Sequence, residues 1–200
     1  MHLRRVLLWS IALLCLLSMG FGPPCLTDSD YAQKTVTLEQ LRAARSAPIP
    51  TIDAQASILV DLVTGRILYA KNEHERRAPA SLTKLVSAVV ALEHGDLNQE
   101  MLVWPVDLAK TTRAGLSNGE RLTMQQLLGL MLICSDNAAA NAVARNLSGG
   151  NDDTQFVAWM NELVARWGLQ DTHFTNAHGL DAPDHYSTAY DLAIIARNAM

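Results

Sequence analysis

In Ser81-Leu82-Thr83-Lys84, a hydroxyl and an amine stand three residues apart where a helical pattern begins, so their Cβ atoms share one face about 5 to 6 Å apart. The two side chains can meet in a hydrogen bond. A serine hydroxyl is a poor nucleophile until a neighbour takes its proton, and an exposed lysine, with a pKa near 10.4, already carries one. Burial or a nearby cation lowers a lysine pKa, so a desolvated Lys84 can act as a base near neutral pH. Unpaired N–H groups at the helix start, that of Ser81 included, can stabilise an oxyanion.

Alone, this tetrapeptide is the background expected of any surface helix. A second candidate, Ser135-Asp136-Asn137, follows some fifty residues later at the junction of two helical patterns. There a serine can relay a proton, and Asn137 can bond both a lysine and a substrate amide. Helix capping by Ser135 and Asp136 explains the tripeptide equally well. Together the two motifs match the pair found in class A β-lactamases and penicillin-binding proteins.

The elements that must position these groups are legible from periodicity. Ser57 to Val63 is rich in branched apolar residues, Thr64-Gly65 makes a turn, and Arg66 to Ala70 alternates, which predicts a β-hairpin over 56–70. After Pro79, apolar residues at Leu82, Leu85, Val86, Val89, Val90 and Leu92 predict a helix from Ser81 to Glu93. Thr123 can cap a second helix through Leu132, and Ser135 or Asp136 a third to about Leu147. A fourth spans roughly Thr154 to Trp167 and stops at Gly168, and a last one starts behind Ser187 and Thr188.

Beyond the two motifs, the chain resembles the serine-type D-Ala-D-Ala carboxypeptidases, the low-molecular-mass penicillin-binding proteins, over roughly residues 51–200. Pro79-Ala80-Ser81-Leu82-Thr83-Lys84 resembles that family's nucleophile segment. Leu122 to Leu128 leading to Ser135-Asp136-Asn137 resembles its second block, and Phe156 to Asn161 running to Asn176-x-His178-Gly179-Leu180-Asp181 and Tyr186-Ser187-Thr188 its third. The resemblance implies Ser81 as the acylated nucleophile, Lys84 as its base, and Ser135 and Asn137 completing proton transfer and substrate binding. It also implies an α/β, β-lactamase/transpeptidase-like fold: an antiparallel sheet flanked by helices, with a mainly helical subdomain between about 95 and 185. The implied reaction removes the terminal D-alanine from peptidoglycan stem peptides, without a cofactor, and β-lactam antibiotics would acylate the same serine.

The family's third motif, Lys-Thr-Gly on a strand, occurs nowhere in the chain; Lys34-Thr35-Val36 and Lys110-Thr111-Thr112 are the nearest strings. The last helical pattern runs to Met200 without a stop signal, so a C-terminally incomplete domain is expected. In the family that strand supplies a cation for the substrate carboxylate and an oxyanion donor. Residues 1–200 alone are therefore expected to acylate poorly or not at all. Stoichiometric labelling of Ser81 by a fluorescent penicillin would refute this.

Other functions make different demands. A class A β-lactamase needs a deacylating glutamate, and Glu162 falls within an apparent amphipathic helix; fast penicillin hydrolysis would favour that reading. A DD-endopeptidase differs in acting on cross-links, which a muropeptide assay separates. A non-catalytic β-lactam or peptidoglycan sensor domain is the reading from another class, and the joint presence of Ser81, Lys84, Ser135 and Asn137 argues against it. His173, His178 and His185 match no usual zinc spacing and are read as turn and packing residues, with no metal site. Trp104, Trp159 and Trp167 are read as core or interface anchors.

Composition bounds the remainder. With 49% hydrophobic residues and 200 residues in all, the chain is expected to fold as one domain or slightly more. The net charge of −4 is dispersed, without the like-charge block of a nucleic-acid arm. Arg4 and Arg5 precede an apolar run from Val6 to Leu17 and then Ser18, Met19 and Gly20, which reads as a signal peptide over 1–20 or an uncleaved anchor, with possible membrane association. That places the protein outside the cytoplasmic membrane. Pro23 and Pro24 before Cys25 argue against lipidation. A linker is expected over 21–50 and the catalytic domain over 51–200. Of three cysteines, Cys15 would leave with the signal, and Cys134 is expected to pack as a small hydrophobe in an apolar helix.

Overall fold

The structure, a computed structural model, describes residues 37–46, 48, 51–109 and 114–200. The signal or anchor expected over 1–20 lies outside the described residues, as does most of the linker. The chain divides into two compact units between Thr51 and Ile52. In the first, helix α1 (Leu38–Ser46) starts at a capping box: Thr37 N–H donates to Gln40 Oε1 at 2.9 Å and Gln40 N–H to Thr37 Oγ1 at 3.2 Å.

The second unit opens on the expected hairpin, β1 (Ser57–Val60) antiparallel to β2 (Ile67–Lys71). Its turn is stapled by Asp61, whose Oδ1 accepts from Thr64 N–H at 2.7 Å and Thr64 Oγ1 at 2.6 Å. A single 3₁₀ turn, Ala80–Leu82, leads into α2 (Thr83–His94). There follow β3 (Glu100–Leu102), α3 (Pro105–Leu108), β4 (Arg121–Thr123), α4 (Met124–Ile133), α5 (Asn137–Leu147), α6 (Thr154–Arg166) and α7 (Ala189–Ala199). Strands β3 and β4 form a second antiparallel pair, in the register Glu100 with Thr123 and Leu102 with Arg121. Three residues per strand are too few for alternation to be read, which is why this ladder has no periodic signature.

The core is built from the helical stripes. Val86 and Val90 of α2, Met124, Leu127 and Met131 of α4, Ala139 and Val143 of α5, and Phe156, Met160 and Leu163 of α6 are all buried. Small residues along α5 let the neighbouring helices approach, and α2 packs against α4, α5, α6 and α7, its buried first residues following directly on the exposed Ser81 and Leu82. Between β3, α3 and α5, buried Arg145 reaches Asp107 through two nitrogens, Nε to Oδ1 at 2.9 Å and Nη2 to Oδ2 at 2.8 Å. It also donates to the carbonyls of Leu102 and Gly150. A fully bonded arginine of this kind fixes the loops around α5, because the charges left by breaking it have no water to turn to.

Two expectations are corrected. Cys134 is exposed rather than packed. The buried face of α4 is Met124, Leu127, Leu128 and Met131, and the helix ends at Ile133, so residues 132–134 fall on its outer side. Trp104 is 40% exposed and lies under the Arg145 guanidinium, 4.5 Å from ring centroid to Cζ, rather than serving as a core anchor. Trp159 does pack against the core and stacks on His94 at 3.8 Å. Among the described residues, no helix is long and apolar enough to cross a membrane.

Candidate active site

Pro79 ends the segment entering the 3₁₀ turn, and Ala80 takes a positive φ of 49°. That conformation costs an L-residue roughly 1 to 2 kcal/mol, and it presents Ser81 at the surface while the chain turns into α2. One turn on, Lys84 is 2% exposed. Its Nζ lies 3.1 Å from Ser81 Oγ, 3.4 Å from Ser135 Oγ, 2.8 Å from Asn137 Oδ1 and 2.8 Å from the His178 carbonyl oxygen. Ser135 Oγ in turn stands 2.9 Å from Ser81 Oγ. The 3₁₀ turn and the first turn of α2 supply the Ser81–Lys84 pair, and two segments distant in sequence, 135–137 and the one holding His178, supply the other partners.

The tripeptide divides its duties. Asp136 is buried and does the capping: its Oδ1 accepts from Ala139 N–H at 2.8 Å and its Oδ2 from Ala114 N–H at 2.8 Å. Held at both oxygens, it fixes the α4–α5 junction. Ser135 can then sit at φ 54°, a left-handed conformation that aims its hydroxyl at Ser81 instead of at a helix end. Capping and cleft-lining are thus both true of this tripeptide, carried by different residues.

The loop 176–180 closes over the lysine. Asn176 Oδ1 accepts from His178 N–H at 3.2 Å and Gly179 N–H at 2.7 Å, and Asn176 Nδ2 donates to Leu180 O at 2.9 Å. Gly179, at φ 85°, presses so near the Ala80–Leu82 turn that a Cβ there would lie 1.9 Å from the Ala80 carbonyl oxygen. The open side is a cleft of about 450 Å³, lined by Ser81, Ser135, Asn137, His178, Leu180 and Asp181 among others. A hollow of about 500 Å³ shares His178, Leu180 and Asp181 with it but is otherwise lined by residues such as Asn141, Arg145 and Asp152, and holds none of the four candidate residues.

This arrangement accommodates a neutral amine as well as a charged one. Asn137 Oδ1 and the His178 carbonyl can only accept, so each takes one N–H of Lys84. With both satisfied at 2.8 Å, a neutral amine has its lone pair left for the serine hydroxyls. Ser81 can then lose its proton to Lys84 directly or through Ser135. Neither the carbonyl of His178 nor the close approach of Gly179 has a signature of its own in the motifs, since both are backbone features of a segment some ninety residues away.

Among the described residues, no three His, Cys, Asp or Glu side chains come together as metal ligands. His173 Nδ1 meets the Asp184 carbonyl at 2.6 Å, and its ring lies near Tyr186. His185 is buried, with Nε2 3.0 Å from Thr83 Oγ1 and Nδ1 3.0 Å from Thr175 N. Burial pushes its imidazole below the usual 6.5, the His173 ring adds to that, and Asp181 opposes it. A histidine held neutral in the fold takes up a proton first in the unfolded chain. Its stabilisation is therefore complete above about pH 6.5 and is lost as the pH falls towards the folded value. Melting temperature measured from pH 7.5 to 4.5 is expected to fall more steeply in the wild type than in His185→Gln, and equal slopes would contradict this.

The comparisons agree with the geometry. The family model described as D-alanyl-D-alanine carboxypeptidase matches residues 42–200. The D-alanyl-D-alanine carboxypeptidase DacD of Salmonella typhimurium is 40% identical over 160 residues, 74% of this chain and 40% of that protein. DacB2 of Mycobacterium tuberculosis is 40% identical over 163 residues, 80% of this chain and 55% of that protein. The chain thus spans about half or less of the length of these curated relatives. Among solved structures, a D-alanyl-D-alanine carboxypeptidase from Mycobacterium tuberculosis H37Rv superposes with a TM-score of 0.71 at 39% identity, covering 78% of this chain and 60% of that one. Penicillin-binding protein 5 from Haemophilus influenzae gives 0.68 at 32%, covering 76% and 46%. The α/β fold is therefore that of the penicillin-binding DD-peptidases, and the chain belongs to the D-alanyl-D-alanine carboxypeptidase family.

Proposed function

We propose that this chain carries the acylating machinery of a serine-type D-alanyl-D-alanine carboxypeptidase acting on peptidoglycan stem peptides. Ser81 Oγ attacks the carbonyl between the two D-alanines as its proton passes to Lys84, directly or by way of Ser135. The C–N bond then breaks, terminal D-alanine leaves with a proton returned from Lys84, and water hydrolyses the ester on Ser81. Asn137 holds Lys84 and has its amide nitrogen available for the peptide. A β-lactam would follow the same first step and remain as the ester. The observation that carries this reading is the buried Lys84 Nζ, 3.1 Å from Ser81 Oγ while Ser135 Oγ stands 2.9 Å from the same atom.

The apolar run behind Arg4 and Arg5 supports export, which would bring the site to its substrate outside the cytoplasmic membrane, free or membrane-attached. Among the described residues, those lining the cleft include no glutamate of the kind that a class A β-lactamase needs for deacylation. Intact-mass spectrometry over hours with benzylpenicillin tests the proposal. The expected result is a slow adduct of one acyl group, mapped to the peptide containing Ser81 and absent from Ser81→Ala. An adduct elsewhere, or an equal adduct on Ser81→Ala, would sink it.

A further inference from the structure

Thr83 occupies the position between the candidate nucleophile and base, and it is fully buried. Its hydroxyl meets His185 Nε2 at 3.0 Å, across 102 residues of sequence. The tautomer follows from the other ring nitrogen. Thr175 N–H donates to Nδ1 at 3.0 Å, so Nδ1 carries no hydrogen, and Nε2–H must be the donor to Thr83 Oγ1. The ring is further fixed by an edge-type contact with the Phe174 ring, 5.5 Å between centroids at 60°, and by Asn176 Nδ2 at 3.4 Å from Nδ1.

We infer that His185 is a positioning residue: its neutral imidazole bridges the 175–180 loop to Thr83 and so locks the first turn of α2, which holds Ser81 and Lys84 at their reacting separation. The physical need is plain at this place. Ala80 is at φ 49°, and the 3₁₀ turn has no side-chain cap, so local preference does not hold the turn. One end of the lock is Thr83, adjacent to Lys84. The other is the loop whose His178 carbonyl accepts from Lys84 Nζ. Both sides of the base are thereby referred to one ring. None of the motifs assigned from sequence includes this contact.

The inference rests on Ser81 and Lys84 acting as proposed above, and the test separates the two. An asparagine at 185 can imitate Nδ1 and accept from Thr175 N–H but cannot reach Thr83, whereas a glutamine can imitate Nε2–H and donate to Thr83. In the 200-residue chain, His185→Asn and Thr83→Val are expected to lower the rate of Ser81 acylation by benzylpenicillin roughly tenfold, the scale of one lost hydrogen bond. His185→Gln and Thr83→Ser should stay within about threefold of the wild type. Hydrogen exchange over residues 80–84 should accelerate about tenfold in the first pair only. Equal rates and exchange in all four variants would overturn the inference. So would loss in His185→Gln with retention in His185→Asn, which would make the ring a support of the 175 loop alone. If the wild type forms no adduct, exchange over 80–84 decides the lock by itself, and an adduct away from Ser81 fails the proposed function without touching the lock.

Discussion

Gly179→Ala is expected to destabilise the second unit by more than about 4 kcal/mol and to abolish acylation of Ser81. Two effects add. The residue sits at φ 85°, where a Cβ costs roughly 1 to 2 kcal/mol. That Cβ would also lie 1.9 Å from the oxygen and 2.5 Å from the carbon of the Ala80 carbonyl, backbone atoms that no side-chain rotation can clear. The 176–180 loop or the Ala80–Leu82 turn must move by more than an ångström, and either movement takes the His178 carbonyl away from Lys84. Gly168→Ala separates the effects: its φ is 74°, but nothing lies within 4 Å of the added atom. Urea unfolding should give about 1 to 2 kcal/mol for Gly168→Ala, the backbone cost alone. Comparable losses for the two variants would show that the close approach carries no weight.

Lys84→Met should lower the rate of Ser81 acylation at least a hundredfold, within the 10²- to 10⁴-fold range of general-base catalysis, while leaving the chain folded. Methionine fills much of the lysine's volume without the amine, and the acceptors it abandons differ in their alternatives. Ser81 and the cleft side of Ser135 can turn to water, whereas the His178 carbonyl is enclosed. Some loss of stability is therefore expected, about 1 to 3 kcal/mol for one unsatisfied buried acceptor. The discriminating measurement is acylation by intact mass beside urea unfolding of the same sample. A folded Lys84→Met that acylates at the wild-type rate would remove Lys84 from the role of base and leave Ser135 to be tested in its place. Ser135→Ala should have the smaller effect, because Ser81 Oγ keeps its direct contact with Lys84 at 3.1 Å.

The local chemistry of this chain was legible. Ser81 and Lys84 share a face because an i,i+3 spacing imposes it, and Thr123 and Thr188 cap their helices because threonine before an apolar stripe satisfies exposed N–H groups, as it does here at 3.2 Å and 3.0 Å. The hairpin over 57–71 follows from its alternation and turn. The exposure of Cys134 is not legible in this way: periodicity identifies an apolar helix, but whether its last residues face the core depends on where neighbouring helices stop. The place of Trp104 outside the core is set likewise, since its partner Arg145 comes from a helix 41 residues on.

By itself, then, the sequence determined the pairing of hydroxyl and amine, the helices and caps around them, and the family to which the chain belongs. Only the tertiary structure decided what surrounds Lys84. Its contacts to Ser135, Asn137 and the His178 carbonyl span 51, 53 and 94 residues, and two of the structural features that support them are backbone conformations, the positive φ of Ser135 and the close approach of Gly179. Spacing along a helix is set by bonds one turn apart, so it can be read from letters. The acceptors that accommodate a neutral amine, and the ring that holds Thr83 beside it, come together only when separate segments pack, because no local rule relates a carbonyl oxygen to a side chain ninety residues away.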